Sequence, residues 1–432
     1  MSAAATGRRA DERGWLGASA ALIAFAAVAR IHNAISYPPL LDFDGPGHAL
    51  NVFALYQGRL PSRQLWSGFH PPVYYALGAA LWRLLPEAIP VHAALRLLSA
   101  LAGFGALAIA WRTLPRFTAR ADAAVAIALV ASAPVFAIAT SMLGNETACA
   151  FFATAALARL CAIPAEAPRA LRHAAPTALL ASLAALCKST GLGVVAVVAL
   201  SYLWKLRRDP RRARRVLLVA SAVPLLLLGP FYGRLVLEGG STLAAVRGGA
   251  LRDGLGNEMA AQPPGERHLA DYLAFPPAAI LAPVKEAPGM LRSVPGLLYA
   301  STWADGHGQF LPARSRPVLT AAAVSALLGL VPSAIAALGA FQIVRHRRTY
   351  ASAAPLLAFA LLLLAAFLAQ TWAVPVYSAV KASYLLPALL PAALALAVGL
   401  AGVPPGARGA LRAALLAIGA FATGVTWYGW WL

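Results

Sequence analysis

Two aspartates stand two residues apart in the stretch Leu41-Asp42-Phe43-Asp44-Gly45-Pro46-Gly47-His48. In an extended segment alternate side chains point the same way, so both carboxylates face one side and Leu41 and Phe43 the other. Such a pair could bind a divalent cation or a metal-bound phosphate, or supply a general base that takes the proton of an attacking hydroxyl. Asp44 is the favoured base. Asp42 reads equally as catalyst or as support, and either carboxylate could instead cap the helix that begins near Gly47. His48 reads more as a structural hydrogen-bond donor than as a ligand.

Other polar residues interrupt apolar sequence in a similar way. His70 precedes Pro71-Pro72, which fixes an extended backbone and sets an imidazole at the mouth of a helix, for substrate contact or simply for the turn. Glu146, after Asn145, is either a helix-start carboxylate steadied by the dipole or a group that orients an acceptor. Lys188-Ser189-Thr190-Gly191 puts a cation between two apolar runs, where it could bind a lipid phosphate or snorkel to the interface; its isolation from other charges favours phosphate. Lys381 with Tyr384 suits phosphate or sugar, and also an interfacial anchor. Asp305 and His307 lie in Trp303-Ala304-Asp305-Gly306-His307-Gly308, a candidate substrate contact or an ordinary Asp-Gly turn.

The elements that must position these groups are membrane helices. With 60% hydrophobic and 12% charged residues over 432 positions, the chain is far more apolar than a soluble domain. Windows of about twenty apolar residues suggest about eleven spans, near 15–35, 91–111, 121–141, 147–163, 174–186, 191–204, 216–237, 318–343, 353–371, 383–403 and 411–427. The expected architecture is an all-α polytopic membrane protein, one integral-membrane domain over 1–432 without a separate soluble domain. The first span, following Arg13 without a cleavage site, reads as a retained signal anchor.

Arginine and lysine cluster on alternate loops: Arg8 to Arg13, Arg112 to Arg120, Arg169 to Arg172, Lys205 to Arg215, Arg345 to Arg348, and Arg408 to Arg412. The positive-inside rule makes these cytoplasmic. It places the N-terminus inside, the C-terminus outside, and the reactive residues on the outer face. The first outer loop, 36–90, carries two amphipathic surface helices; the long outer loop, 238–316, is rich in Gly and Pro and reads as turns between short helices or a lid. Between the predicted ends the spans read as almost free of charge, which argues against a transporter.

The net charge of +20 does not imply nucleic acid, because the basic residues form short juxtamembrane clusters suited to anionic membrane lipids. Cys149, Cys161 and Cys187 have neither metal-site nor disulfide spacing. No GxxxxGK[ST] loop and no HExxH motif occurs, so ATP coupling and metalloprotease chemistry are unsupported.

The order of these motifs resembles one superfamily. The acidic first-loop motif, Gly58-Arg59-Leu60-Pro61, His70-Pro71-Pro72-Val73-Tyr74-Tyr75, Met142 with Asn145-Glu146, Lys188-Ser189-Thr190-Gly191 and Lys381-Ala382-Ser383-Tyr384-Leu385-Leu386-Pro387 together resemble the GT-C integral-membrane glycosyltransferases. The resemblance is to the bacterial branch related to protein O-mannosyltransferases and the lipid A aminoarabinose transferase.

It implies a GT-C-type bundle in a bacterial cytoplasmic (inner) membrane, and inverting transfer of a hexosyl or pentosyl group. The donor would be a polyprenyl-phosphate sugar and the acceptor a lipid, glycan or protein of the cell envelope. Asp44, or Asp42, becomes the base or acceptor-orienting carboxylate; Lys188 and Lys381, with Tyr384, become the donor-phosphate site. His48, His70, Glu146, Asp305 and His307 are substrate-binding candidates. One departure is Gly45, where relatives commonly carry glutamate. No cofactor is expected, and a divalent cation is not favoured. The alternatives are a ligase moving a glycan or phospho-group between lipid carriers, and a non-enzymatic lipid or glycan transporter.

Overall fold

The computed structural model describes residues 3–39, 41–61, 67–86, 88–162, 170–207, 209–237, 262–310 and 316–428. Every regular element among them is helical. Ala- and Leu-rich sequence favours helix, and in an apolar medium a helix satisfies its own backbone polar groups.

The long opening helix α1 (Ala3–Ser36) is followed by two short ones, α2 (Gly45–Tyr56) and α3 (Val73–Leu84), which pack on each other before the chain enters α4 (Val91–Thr113). These two are the expected helices of the first loop. The next apolar stretch is broken. Ala133 precedes Pro134, which excludes it from the helical region, and it adopts φ −61°, ψ 134°. The stretch therefore becomes α5 (Arg120–Ser132) and α6 (Pro134–Ser141), bent by 59°.

Helices α7 (Glu146–Ala162), α8 (Ala170–Cys187) and α9 (Leu192–Lys205) fold back on one another, and α10 (Pro210–Leu237) packs on α8 and α9. The reversal between α8 and α9 is a single 3-10 turn, Ser189–Gly191. Gly191 lies so close to the Ala184 backbone that a Cβ there would overlap it. This turn carries Lys188 at its entrance.

The expected long loop is described over 262–310 and otherwise lies outside the described residues. It forms α11 (Leu269–Leu273), α12 (Ala278–Leu281) and α13 (Val294–Trp303), in keeping with short helices separated by turns. It is tied to the later chain: the Arg267 guanidinium donates to the Val376 carbonyl at 3.2 Å, and the Tyr377 amide to the Pro263 carbonyl at 2.9 Å. The chain then runs through α14 (Arg316–Arg345), α15 (Ala354–Ala373), a 3-10 segment at Ala382–Ala388, α16 (Leu389–Ala401) and α17 (Pro405–Tyr428).

The principal core joins α4, α7, α8, α9 and α16, and a second cluster joins α5, α16 and α17. Leu225, Leu226 and Leu237 on α10, and Leu361 on α15, are exposed, as expected of lipid-facing positions. Among the described residues seven helices are long and apolar enough to cross a membrane, or eight if the bent pair is one span. That is fewer than the eleven expected. The difference lies in α7, α8 and α9, which have 17, 18 and 14 residues, with Arg159 in α7 and Arg172 and Pro176 in α8.

The close approach at Gly191 yields a test. Gly191→Ala would force the α8–α9 turn apart, at a cost of about 1–3 kcal/mol of overpacking. The thermal midpoint of the purified protein should fall by several degrees; an unchanged midpoint would show that the turn relaxes freely.

Candidate active site

Near the start of α4, Arg96 is completely buried, and a buried guanidinium must find acceptors for its donors. It finds them in the loop leaving α1. Nη1 donates to the carbonyl of Tyr37 at 2.8 Å. Nη2 meets those of Pro38 at 2.8 Å and Leu41 at 3.0 Å, and the Asp42 carboxylate at 3.1 Å. The other Asp42 oxygen accepts the Leu143 amide at 2.6 Å. Asp42 is thus fully engaged, between α4 and the segment linking α6 to α7, and its part is to hold the loop.

Gly45 explains the departure from glutamate. A Cβ at this position would lie 2.6 Å from an Asp42 carboxylate oxygen, closer than any real contact, so the Asp42–Arg96 pair leaves no room for a side chain.

Phe43 and Asp44 project toward a different part of the chain. Asp44 occupies the N-cap position of α2 without making a side-chain cap. Its oxygens lie 3.2 and 3.4 Å from Lys381 Nζ, with the Asp44 side chain 25% exposed and that of Lys381 6%. Burial alone would raise the Asp44 carboxyl, but the positive charge of Lys381, reinforced by Lys188, outweighs it and holds the pKa down at about 2.

Lys381 Nζ also stands 4.6 Å over the Phe43 ring and 5.7 Å from the Tyr384 ring centre. Lys188 sits 4.3 Å over the same Tyr384 ring and donates to Glu146 at 2.5 Å. Two acid–base pairs therefore meet around one tyrosine, an arrangement in which cation–π attraction fixes both ammonium groups beside a common space.

His48 and His70 stack nearby, with ring centres 5.4 Å apart. His48 Nδ1 lies 2.7 Å from the Tyr75 hydroxyl, which the Asn145 amide also approaches at 3.5 Å. Burial lowers both imidazole pKa values, that of His70 strongly, with Lys188 adding to the effect at each. Both histidines are accordingly neutral hydrogen-bonding groups at neutral pH.

On the other flank His307 places Nε2 3.0 Å from the Val380 carbonyl, and the Ser301 hydroxyl accepts the Ala382 amide at 3.2 Å. The residues on either side of Lys381 are therefore both held. Burial, and then Lys381, lowers the His307 imidazole to about 4. Asp305 accepts the Phe310 amide at 2.6 Å, closing its own turn. Both residues, expected as substrate contacts, line a small cavity with Lys381, Ser301 and Ser383, and these two bonds go to backbone groups.

The structure thus gathers the expected residues at one end of the bundle. It also corrects two expectations. Lys188 is not isolated, because Glu146 neutralises it. Nor are the apolar spans nearly free of charge: Arg30 and Arg96 are wholly buried, and Asp122 and Arg412 pair at 2.8 Å. Arg96, the residue sequence reasoning missed, had a signal, as an ionisable group within an apolar span. Tyr75, in the quoted His-Pro-Pro motif, had none beyond its place there. Among the described residues no three His, Cys, Asp or Glu side chains converge as a metal-ligand set.

Comparison with solved structures identifies the architecture. ArnT from Cupriavidus metallidurans, bound to undecaprenyl phosphate, superimposes over 95% of this chain and 75% of its own with a TM-score of 0.52 at 14% identity. The two chains share a fold. The oligosaccharyltransferase of Archaeoglobus fulgidus, in complex with zinc and sulfate, matches over 94% of this chain with a TM-score of 0.50 at 14% identity, and this chain spans about half (53%) of its length. No protein-family model matches the sequence, and no curated protein matches it significantly.

Two predictions separate the aspartates. Burial raises the Asp42 carboxyl to about 7, so the comparison is made at pH 8: there Asp42→Asn strips the counter-charge from a fully buried Arg96, a loss of about 3–5 kcal/mol, and its thermal midpoint should fall well below that of Asp44→Asn; the reverse order would refute the structural role of Asp42. The pH dependence concerns Asp44. A carboxyl whose folded pKa is depressed stabilises above its unfolded value, about 3.9, and that contribution is lost as pH falls through the folded value near 2. The difference in thermal midpoint between wild type and Asp44→Asn should be constant from pH 8 to pH 5 and shrink below about pH 4. A difference that does not shrink below about pH 4 would show that Lys381 does not hold the Asp44 carboxyl down.

Proposed function

We propose that this protein is an inverting glycosyltransferase that moves a monosaccharide from a polyprenyl-phosphate donor to an acceptor at the outer face of a bacterial cytoplasmic membrane. The observation that carries the reading is the Asp44–Lys381 pair beside Lys188–Glu146, with Tyr384 between the lysines. In topology the proposal counts α7, α8 and α9 as crossings, which brings the total to eleven and puts this end of the bundle outside. The likeness to ArnT bound to undecaprenyl phosphate supports a donor of the same class.

The chemistry needs two charges placed on either side of a sugar carbon. The departing phosphate gains negative charge, and Lys381 and Lys188 stabilise it as the C1–O bond to phosphate breaks. The acceptor hydroxyl forms the new C1–O bond, and its proton passes to the Asp44 carboxylate. A carboxylate with so low a pKa is a weak base while Lys381 remains its partner. Donor phosphate competes for that same ammonium, so donor binding itself would free Asp44 and make it more basic. In an oxocarbenium-like transition state the hydroxyl loses its proton late, and orientation by Asp44 then matters as much as basicity.

The decisive assay supplies radiolabelled polyprenyl-phosphate monosaccharides to purified wild type and Asp44→Asn in detergent, with envelope lipids and proteins as acceptors. Wild type should produce a labelled product, and Asp44→Asn should lose about 10²–10⁴-fold in rate while still binding undecaprenyl phosphate. Lys381→Ala should lose donor binding as well as turnover, and transfer should persist in EDTA. No donor consumption by wild type, or full turnover by Asp44→Asn, would remove the transferase reading or its base.

A further inference from the structure

Beside the acidic loop, on the flank formed by α2, α3 and the start of α4, lies a cavity of about 380 Å³. Ala49, Leu50, Phe53, Trp82 and Leu95 shape it together with His92, and the surface exposed to it is apolar. The volume is in the range of ligand sites, and so largely apolar a space is poorly suited to water. It is also open to the surroundings, since Ala49, Leu50 and Phe53 are all exposed.

We propose that this groove receives a hydrocarbon chain of the acceptor, and hence that the acceptor is a lipid-anchored molecule. The inference rests on the transferase reading and extends it to the second substrate.

Three observations choose this occupant over the donor's tail. Pro46, two residues beyond Asp44, lines the groove, so a chain lying in it would bring its head group near that loop. None of its lining residues comes from the segments that carry Lys188 or Lys381. Arg96, the residue after Leu95, is closed on Asp42 and on backbone, so it is not offered to a phosphate placed here. Inversion requires the attacking hydroxyl and the departing phosphate to stand on opposite faces of the sugar carbon. With the phosphate on the lysines, the hydroxyl must enter past Asp44 from elsewhere, and the groove supplies such an approach.

The test uses full-length wild type in phosphatidylcholine nanodiscs with a hexosyl diacylglycerol that carries a diazirine in one acyl chain. After irradiation, label should appear on α2, Trp82 or Leu95, and survive a tenfold excess of undecaprenyl phosphate with less than a twofold loss. In Ala49→Trp the yield should fall at least tenfold; position 49 is exposed, so the larger ring fills the groove without disturbing the core. Label displaced by undecaprenyl phosphate would assign the groove to the donor and overturn the proposal. So would label spread over the whole lipid-facing surface, which marks ordinary bilayer contact, or no label in the groove. Failure of the transferase reading shows separately, as undecaprenyl phosphate binding that Lys381→Ala does not weaken.

Discussion

Arg96 is the residue on which the site depends. A guanidinium sunk into the first turns of a membrane helix must be surrounded by acceptors, and α4 itself has none to spare. The loop after α1 supplies them, three carbonyls and a carboxylate within 3.1 Å. Satisfying that one cation fixes the path of the chain from Tyr37 to Asp42. With Asp42 pinned and Gly45 pressed against it, the backbone has little freedom over the next two residues, and Asp44 is set facing Lys381. One aspartate holds the other in place.

The cluster that results is balanced. Asp44 and Glu146 each meet a lysine, and the neighbouring histidines are held neutral by burial. Buried ions are tolerated only when paired, and such pairing stabilises the cluster. It also makes the site responsive, because an incoming phosphate offers either lysine a stronger partner than a carboxylate. Each lysine drawn to a phosphate would release a carboxylate. On the proposed function, that exchange would both anchor the donor and prepare the group that takes the acceptor's proton.

The helical class was legible because long Ala- and Leu-rich runs have one outcome in an apolar medium. The site residues were legible one by one, as polar groups interrupting such runs, but their pairing was not. Lys188 reads as an isolated cation until the fold brings Glu146 to it from 42 positions away, and Asp44 lies 337 positions from Lys381. Neither separation has a local signature. The two span counts differ for the opposite reason: hydropathy registers apolar content, whereas a length criterion leaves out α7, α8 and α9, which are apolar but short and gain their burial from one another.

Lys381 shows what the remainder of the chain contributes. It lies in an irregular stretch, which by itself would not hold a lysine to a fraction of an ångström. The segment after residue 262 holds it from above, through Arg267 on Val376, Pro263 on Tyr377 and Lys285 on the Tyr377 hydroxyl. From within, His307 and Ser301 bond the backbone immediately before and after it. These contacts reach the peptide groups and leave the ammonium to Asp44, Phe43 and Tyr384. A cation fixed through its backbone can change its ionic partner without moving, which is the property a phosphate-binding lysine needs if the acid it releases is to stay aligned with the bond being broken.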